Sequence, residues 1–280
     1  MVGLCHTRPM ARVPLDVDGS PVAWREAGTG PSTVLLLHGL GGSRISWEPQ
    51  LVGLSGQRRV VAWDMPGYGA STPLPQQQVG FHALADAASA LIGHLGVAHA
   101  HVVGISMGGM VAQYLAHRHP AKVRSLTLLS SSPAFGLDGT LPEQWRAARL
   151  APLDQGLEPA DFAEQVLRAI AGPHISDEAL AGQIAAMRRV TAAGLRRSID
   201  CLVTHDTRPI LHEIATPTLC LVGELDEETP PSYSQYLAEH IPGARLEVVP
   251  SAGHLLNAEA PDAVNELISA HLDAVEATPS

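Results

Sequence analysis

A chain of 280 residues with 45% hydrophobic and 16% charged residues is long enough to bury a large core and too apolar to be disordered. Its formal net charge of −10 argues against nucleic acid or an anionic membrane surface as partner, yet leaves room for a small anionic substrate met by a local arginine. Cys5, Cys201 and Cys220 are far apart, residues 1–14 hold no apolar signal core, and no run of about 18 apolar residues occurs. The expectation is a cytoplasmic protein without a disulfide framework.

Residues 13–26 alternate in polarity around Asp18-Gly19, which predicts an opening antiparallel hairpin. Gly28-Thr29-Gly30-Pro31 reads as a further hairpin turn. Residues 33–37 and 59–63 are continuous apolar runs, ending at His38-Gly39-Leu40-Gly41-Gly42 and at Asp64-Met65-Pro66-Gly67-Tyr68-Gly69. A run without alternation predicts a strand covered on both faces, as in a parallel sheet. Residues 81–95 have helical spacing, 100–103 and 123–129 are further strands, and a helix follows the first of these from about residue 109. This alternation predicts an α/β fold with a mostly parallel, doubly wound sheet. From 133 to 205 only helical stretches occur, at 141–150, 160–171, 177–190 and 192–203, the third capped by Ser176. Strands return at 218–222 and 244–249, and a helix over 263–275 closes the chain. The economical reading is a core of residues 1–132 and 206–280 interrupted by a helical insertion, 133–205. An insertion of that size beside an active site is expected to act as a lid.

The most informative stretch is Gly104-Ile105-Ser106-Met107-Gly108, a Gly-x-Ser-x-Gly motif between a buried strand and a helix. A turn that tight leaves the serine hydroxyl exposed above the sheet, the placement a nucleophile needs. Acyl transfer to serine also requires a base and an acid to orient it. Asp226 follows the strand at 218–222, with Glu224, Glu227 and Glu228 as rivals. Among 14 histidines, His254 follows the last strand in an Ala-Gly-His turn. Carboxyl ends of parallel strands lie on one edge of the sheet, so Ser106, Asp226 and His254 are predicted to meet there. Backbone N–H groups of Met107 and Leu40 are the candidate oxyanion donors. His38 reads as a structural histidine bracing its glycine-rich loop. No phosphate loop, metal cluster or dinucleotide fingerprint is present, and serine hydrolysis implies no cofactor.

These segments, in this order, resemble the α/β-hydrolase superfamily along nearly the whole chain, which implies the α/β-hydrolase fold with an inserted helical lid. Within it, Gly104 to Val111, Asp226-Glu227-Glu228-Thr229-Pro230-Pro231, Ile241-Pro242-Gly243-Ala244 and His254-Leu255-Leu256-Asn257-Ala258-Glu259 are similar to 3-oxoadipate enol-lactonases. That resemblance implies a small-molecule lactone or ester substrate, opened by Ser106 in aromatic catabolism. Such a substrate bears a carboxylate, so a lid arginine is expected, with Trp145, Arg146 and Arg149 as candidates against the simpler reading of a solvated helix face. Hydrolases of meta-cleavage products are the alternative, but they carry asparagine before the serine and tryptophan after the histidine, where this chain has Ile105 and Leu255. A general carboxylesterase and, less favoured, a ligand receptor share the fold.

Overall fold

Strands buried on both faces dictate the architecture. The computed structural model describes residues 15–18, 21–75 and 80–278; Cys5, Gly19 and residues 1–14 lie outside them. Strands β1 (Leu15–Val17), β2 (Trp24–Ala27), β3 (Thr33–Leu37), β4 (Arg59–Trp63), β5 (Ala100–Ile105), β6 (Val123–Leu129), β7 (Thr218–Gly223) and β8 (Arg245–Val249) form one sheet. Their order is β1-β2-β4-β3-β5-β6-β7-β8. Pairing is antiparallel at β1–β2 and β2–β4 and parallel from there onward.

Helices α1 (Glu48–Leu54), α2 (Phe81–His94) and α3 (Met107–Arg118) follow β3, β4 and β5, and α8 (Pro231–His240) joins β7 to β8. After β8 come α9 (Leu256–Glu259) and α10 (Pro261–Glu276). Successive strand residues point to opposite faces, and each face is covered by its own helices. Leu35, Leu37, Val61, Trp63 and Val102 pack with Leu84, Ala88, Met110 and Leu115 of α2 and α3. Val34, Leu36, Val60, Ala62, Val103 and Ile105 pack with Leu51 and Leu54 of α1 and Val264, Ile268 and Leu272 of α10. Each large side chain so buried contributes about 1.5–3 kcal/mol. No described helix is long and apolar enough to cross a membrane.

Two local expectations need correction. Residues 28–31 do not turn a hairpin, because β4 lies between β2 and β3. The segment instead crosses the end of β4 so closely that a Cβ on Gly28 or Gly30 would overlap backbone atoms of residues 55–58. Helices α1 and α8 also escape the sequence reading. Both begin at a proline within two residues, and α8 is largely polar at its surface, so neither shows a long apolar period.

Between β6 and β7 the chain forms α4 (Pro142–Asp154), α5 (Pro159–Ile170), α6 (Asp177–Met187) and α7 (Ala192–Leu202). Ser176 caps α6, its Oγ accepting the Ala179 N–H at 3.2 Å. The two ends of this segment are tied together: Phe135 N–H donates to His205 O at 2.9 Å, and Thr207 N–H to Pro133 O at 2.8 Å. Leu150, Leu167, Ile184, Leu195 and Leu202 join the core cluster of the α2–α3 face. Gln183 of α6 donates to Ser46 O, in the segment after β3, at 3.1 Å, which places the helices over the edge where the parallel strands end.

Candidate active site

The strand-to-helix turn at Ser106 is strained and tightly packed. Ser106 has φ 52° and ψ −121°, a conformation that costs a non-glycine residue about 1–3 kcal/mol and that survives because its surroundings over-determine it. Those surroundings are specific. Ser106 N–H donates to Leu129 O at 2.9 Å, and Ser131 Oγ donates to Ser106 O at 3.0 Å. A Cβ on Gly108 would lie 2.7 Å from His38 O and closer still to Leu37 O, so only glycine lets α3 start there.

Asp226 and His254 meet beside it. Both Asp226 carboxylate oxygens lie 3.0 Å from His254 Nδ1. The carboxylate also accepts the N–H groups of Glu228 and Thr229, at 3.0 and 2.9 Å, and the Thr229 hydroxyl at 2.9 Å. Two of the rival acids are engaged elsewhere: Glu224 accepts the Ser251 N–H, and Glu228 pairs with Arg149; Glu227 lines the cavity. Burial alone would raise the Asp226 carboxyl, but the His254 charge and hydrogen bond and the Thr229 N–H hold it below the usual carboxylate range. Burial alone would lower the imidazole; the Asp226 charge and hydrogen bond outweigh it, with smaller help from Glu228 and Glu259, and hold His254 above 6.5.

That direction fixes a pH dependence. A base must be neutral to accept a proton, so activity is lost as pH falls through the raised value. A pH–rate profile of kcat/KM is expected to show an acid limb with its midpoint above 6.5. A limb well below that value would mean that another group accepts the proton.

The candidate oxyanion donors lie on two backbone segments. Met107 N–H is the first of α3, one of the donors that helix geometry leaves free. The loop after β3 passes over the serine, since a Cβ on Gly39 would come within 3.1 Å of Ser106 Cβ. His38 supports that loop from beneath. Its Nε2 accepts the Met65 N–H at 2.9 Å, so Nδ1 carries the proton donated to Gly39 O at 2.9 Å. Complete burial lowers its pKa and keeps the ring neutral. It braces the loop and is no rival to His254.

Ser106 and His254 open into a cavity of about 340 Å³. Leu40, Met110, Phe135, Trp145, Val166 and Leu202 give it an apolar wall, and its charged lining is Asp138, Arg149, Glu227 and Glu228. Trp145 meets Phe135 edge-on, with centroids 5.3 Å apart, and the Arg149 guanidinium lies 5.3 Å over the Trp145 ring. Arg149 is 3.3 Å from both oxygens of Glu228. Arg146 does not join them: it is absent from the cavity lining, and its Nε meets Asp200 Oδ1 at 2.5 Å on the exposed side of α4. Trp145 and Arg149, four apart, share a face of α4, while Arg146 is drawn toward α7 by its pair with Asp200.

A strained serine at a strand-to-helix turn, a buried Asp–His pair at two further strand ends, and helices over the same edge define a known architecture. Residues 32–261 match the family described as alpha/beta hydrolase fold. The chain belongs to that family. This α/β-hydrolase is 34% identical, over 226 residues, to a pimeloyl-[acyl-carrier protein] methyl ester esterase of Neisseria meningitidis, a match covering 79% of the chain and 86% of the relative. It is 29% identical to 3-oxoadipate enol-lactonase 2 of Acinetobacter baylyi, covering 85% and 87%. Among solved structures, a hydrolase from Pseudomonas aeruginosa superposes with a TM-score of 0.81 at 28% identity, covering 92% of this chain and 98% of that one.

The contacts of Thr229, Ser131 and Glu228 are contributions that the sequence reading of this α/β-hydrolase does not assign, although it names Glu228 as a rival acid and Thr229 within the segment after Asp226. Thr229 had a signal: an aspartate that accepts N–H groups two and three residues ahead is a common turn, and Asp-x-x-Thr also supplies a hydroxyl. Ser131 and Glu228 carry no pattern of their own.

Proposed function

We propose that this α/β-hydrolase cleaves a carboxylic ester with an uncharged, apolar acyl group through an acyl-enzyme on Ser106. The carrying observation is the cavity's charge. Among the described residues its one lining arginine is already paired with Glu228, and three carboxylates stand against it, while the wall beside Ser106 is aliphatic and aromatic. A carboxylate-bearing substrate entering here would have to displace Glu228 and approach Asp138 and Glu227.

In the first half-reaction, His254 Nε2 takes the Ser106 hydroxyl proton as Oγ bonds to the ester carbonyl carbon. Negative charge moves to the carbonyl oxygen, where Leu40 and Met107 N–H groups receive it. The C–O bond to the alcohol then breaks, and the alcohol leaves with the proton from His254. Water repeats the sequence on the acyl-enzyme, releasing the acid and restoring Ser106. Asp226 holds Nδ1 protonated throughout and stabilises the imidazolium. Helices α4 to α7 serve as the lid that covers the acyl group and limits access of water. The Neisseria relative's name describes a methyl ester of a carrier-bound acyl chain, a substrate whose ester end is neutral, which agrees with this cavity.

Enol-lactone hydrolysis is the second reading, favoured by the Acinetobacter relative and by the position of Arg149 on the cavity wall. Measuring kcat/KM for p-nitrophenyl butyrate and 3-oxoadipate enol-lactone, on wild type and Arg149→Ala, separates the two. The neutral ester is expected to be preferred, and to change by no more than about fivefold in the variant, in keeping with about 0.2–1 kcal/mol for a partly exposed ion pair. Preference for the lactone, lost in Arg149→Ala, would overturn the neutral-acyl reading and make Arg149 a carboxylate clamp.

A further inference from the structure

His254 is held through its peptide backbone as well as through its ring. Glu259, the last residue of α9, turns its carboxylate back onto the histidine loop. Oε2 accepts the Gly253 N–H at 2.6 Å and Oε1 accepts the Leu255 N–H at 2.9 Å. These are the peptide N–H groups immediately before and after His254. The His254 N–H donates to Ile170 O, the last residue of α5, at 3.3 Å. Three successive backbone donors are thereby fixed, two of them by one side chain.

Only a carboxylate fits between those donors. Each oxygen accepts from one N–H, and hydrogen bonds to an ionised acceptor are roughly twice as strong as neutral ones. Glutamine would offer its carbonyl to one N–H and set its amide N–H₂ against the other. The chain around the clamp leaves no slack: a Cβ on Gly172, just beyond α5, would overlap Glu259 Oε2 and lie 2.7 Å from Gly253 N.

We infer that Glu259 is a positioning residue for the general base. By fixing both peptides flanking His254, its carboxylate sets the direction of the Cα–Cβ bond and so the point at which Nε2 meets the Ser106 hydroxyl. A misplacement of about 1 Å far from the reacting bond can cost on the order of 10²-fold in rate. The negative charge also contributes to holding His254 above its ordinary value. The inference rests on the proposed roles of Ser106, Asp226 and His254.

The test is Glu259→Gln, assayed with p-nitrophenyl butyrate across pH beside a melting curve. The expected result is a kcat about 10–100-fold lower with KM changed by less than about threefold, and an acid limb moved to lower pH because a negative charge near the imidazole is gone. Glu259→Asp keeps the charge but draws the carboxylate back by one methylene; kcat is expected to fall with a smaller movement of the limb. It also serves as the measured variant if Glu259→Gln does not fold. A merely structural tie would lower Tm and leave kcat and the limb of the folded enzyme unchanged, and that result overturns the inference. His254→Ala is run in parallel. If it is inactive while Glu259→Gln is unimpaired, only the clamp fails; if it stays active, the reading of the whole site fails.

Discussion

Ser106→Ala is expected to abolish ester turnover, with kcat reduced on the order of 10⁶-fold, the scale seen when the nucleophile of a serine hydrolase is removed. The fold should survive, because the anchors of the turn are backbone groups that alanine retains: Ser106 N–H to Leu129 O and Ser131 Oγ to Ser106 O. A second substitution separates chemistry from strain. At φ 52° any L side chain is strained, whereas glycine adopts that conformation freely. Ser106→Gly relieves about 1–3 kcal/mol of native-state strain and adds about 0.5–1 kcal/mol of unfolded-state entropy. It is therefore expected to be as inactive as Ser106→Ala and to melt at a higher temperature. Activity in either variant within about tenfold of wild type would remove Ser106 from the mechanism. A lower melting temperature for Ser106→Gly would show instead that the turn carries no strain, since only the entropic cost of glycine would remain.

What could be read from the sequence follows from how local each constraint is. The elbow is legible because the approach of Gly108 to Leu37 and His38 demands glycine at a fixed offset from the serine. The parallel strands are legible because β3, β5 and β7 are buried at every position and so lack alternation. Residues 28–31 mislead because a short glycine-rich link looks the same whether the next strand pairs beside it or passes beyond a neighbour. Arg146 and Arg149 illustrate a finer limit. Composition puts both on the first helix of the insertion, but the helix's rotation, set by Leu150 and Leu153 in the core, decides which one reaches the cavity. The role of Glu259, a residue within the segment that carries the family resemblance, is not legible for a different reason: its partners are peptide N–H groups, which every residue but proline supplies, so no residue type marks them.

Asp226→Asn carries the second large effect, and the hydrogen bonds around the carboxylate give its sign. Oδ1 accepts two backbone N–H groups, from Glu228 and Thr229, so an asparagine must place its carbonyl oxygen there. Its N–H₂ then occupies the position of Oδ2, 3.0 Å from His254 Nδ1. That donor competes for Nδ1 with the carbonyl oxygen at the Oδ1 position, also 3.0 Å away but already accepting two N–H groups. It so favours Nδ1 as the acceptor, which moves the imidazole proton to Nε2. The nitrogen facing Ser106 then carries a hydrogen and cannot accept another. The expected loss in kcat/KM is about 10⁴-fold, the scale of a wrong-tautomer histidine in a serine–histidine–aspartate site. The fold should tolerate the change, since asparagine retains the bonds to Glu228 and Thr229. Two measurements decide it. Steady-state kinetics should show the loss, and nitrogen-15 NMR of the labelled imidazole should show the proton moved from Nδ1 to Nε2. Near-wild-type kinetics would mean that the Thr229 hydroxyl, 3.3 Å from Nδ1, can orient His254 without the aspartate charge. Lost activity with the wild-type tautomer would leave stabilisation of the imidazolium as what Asp226 supplies.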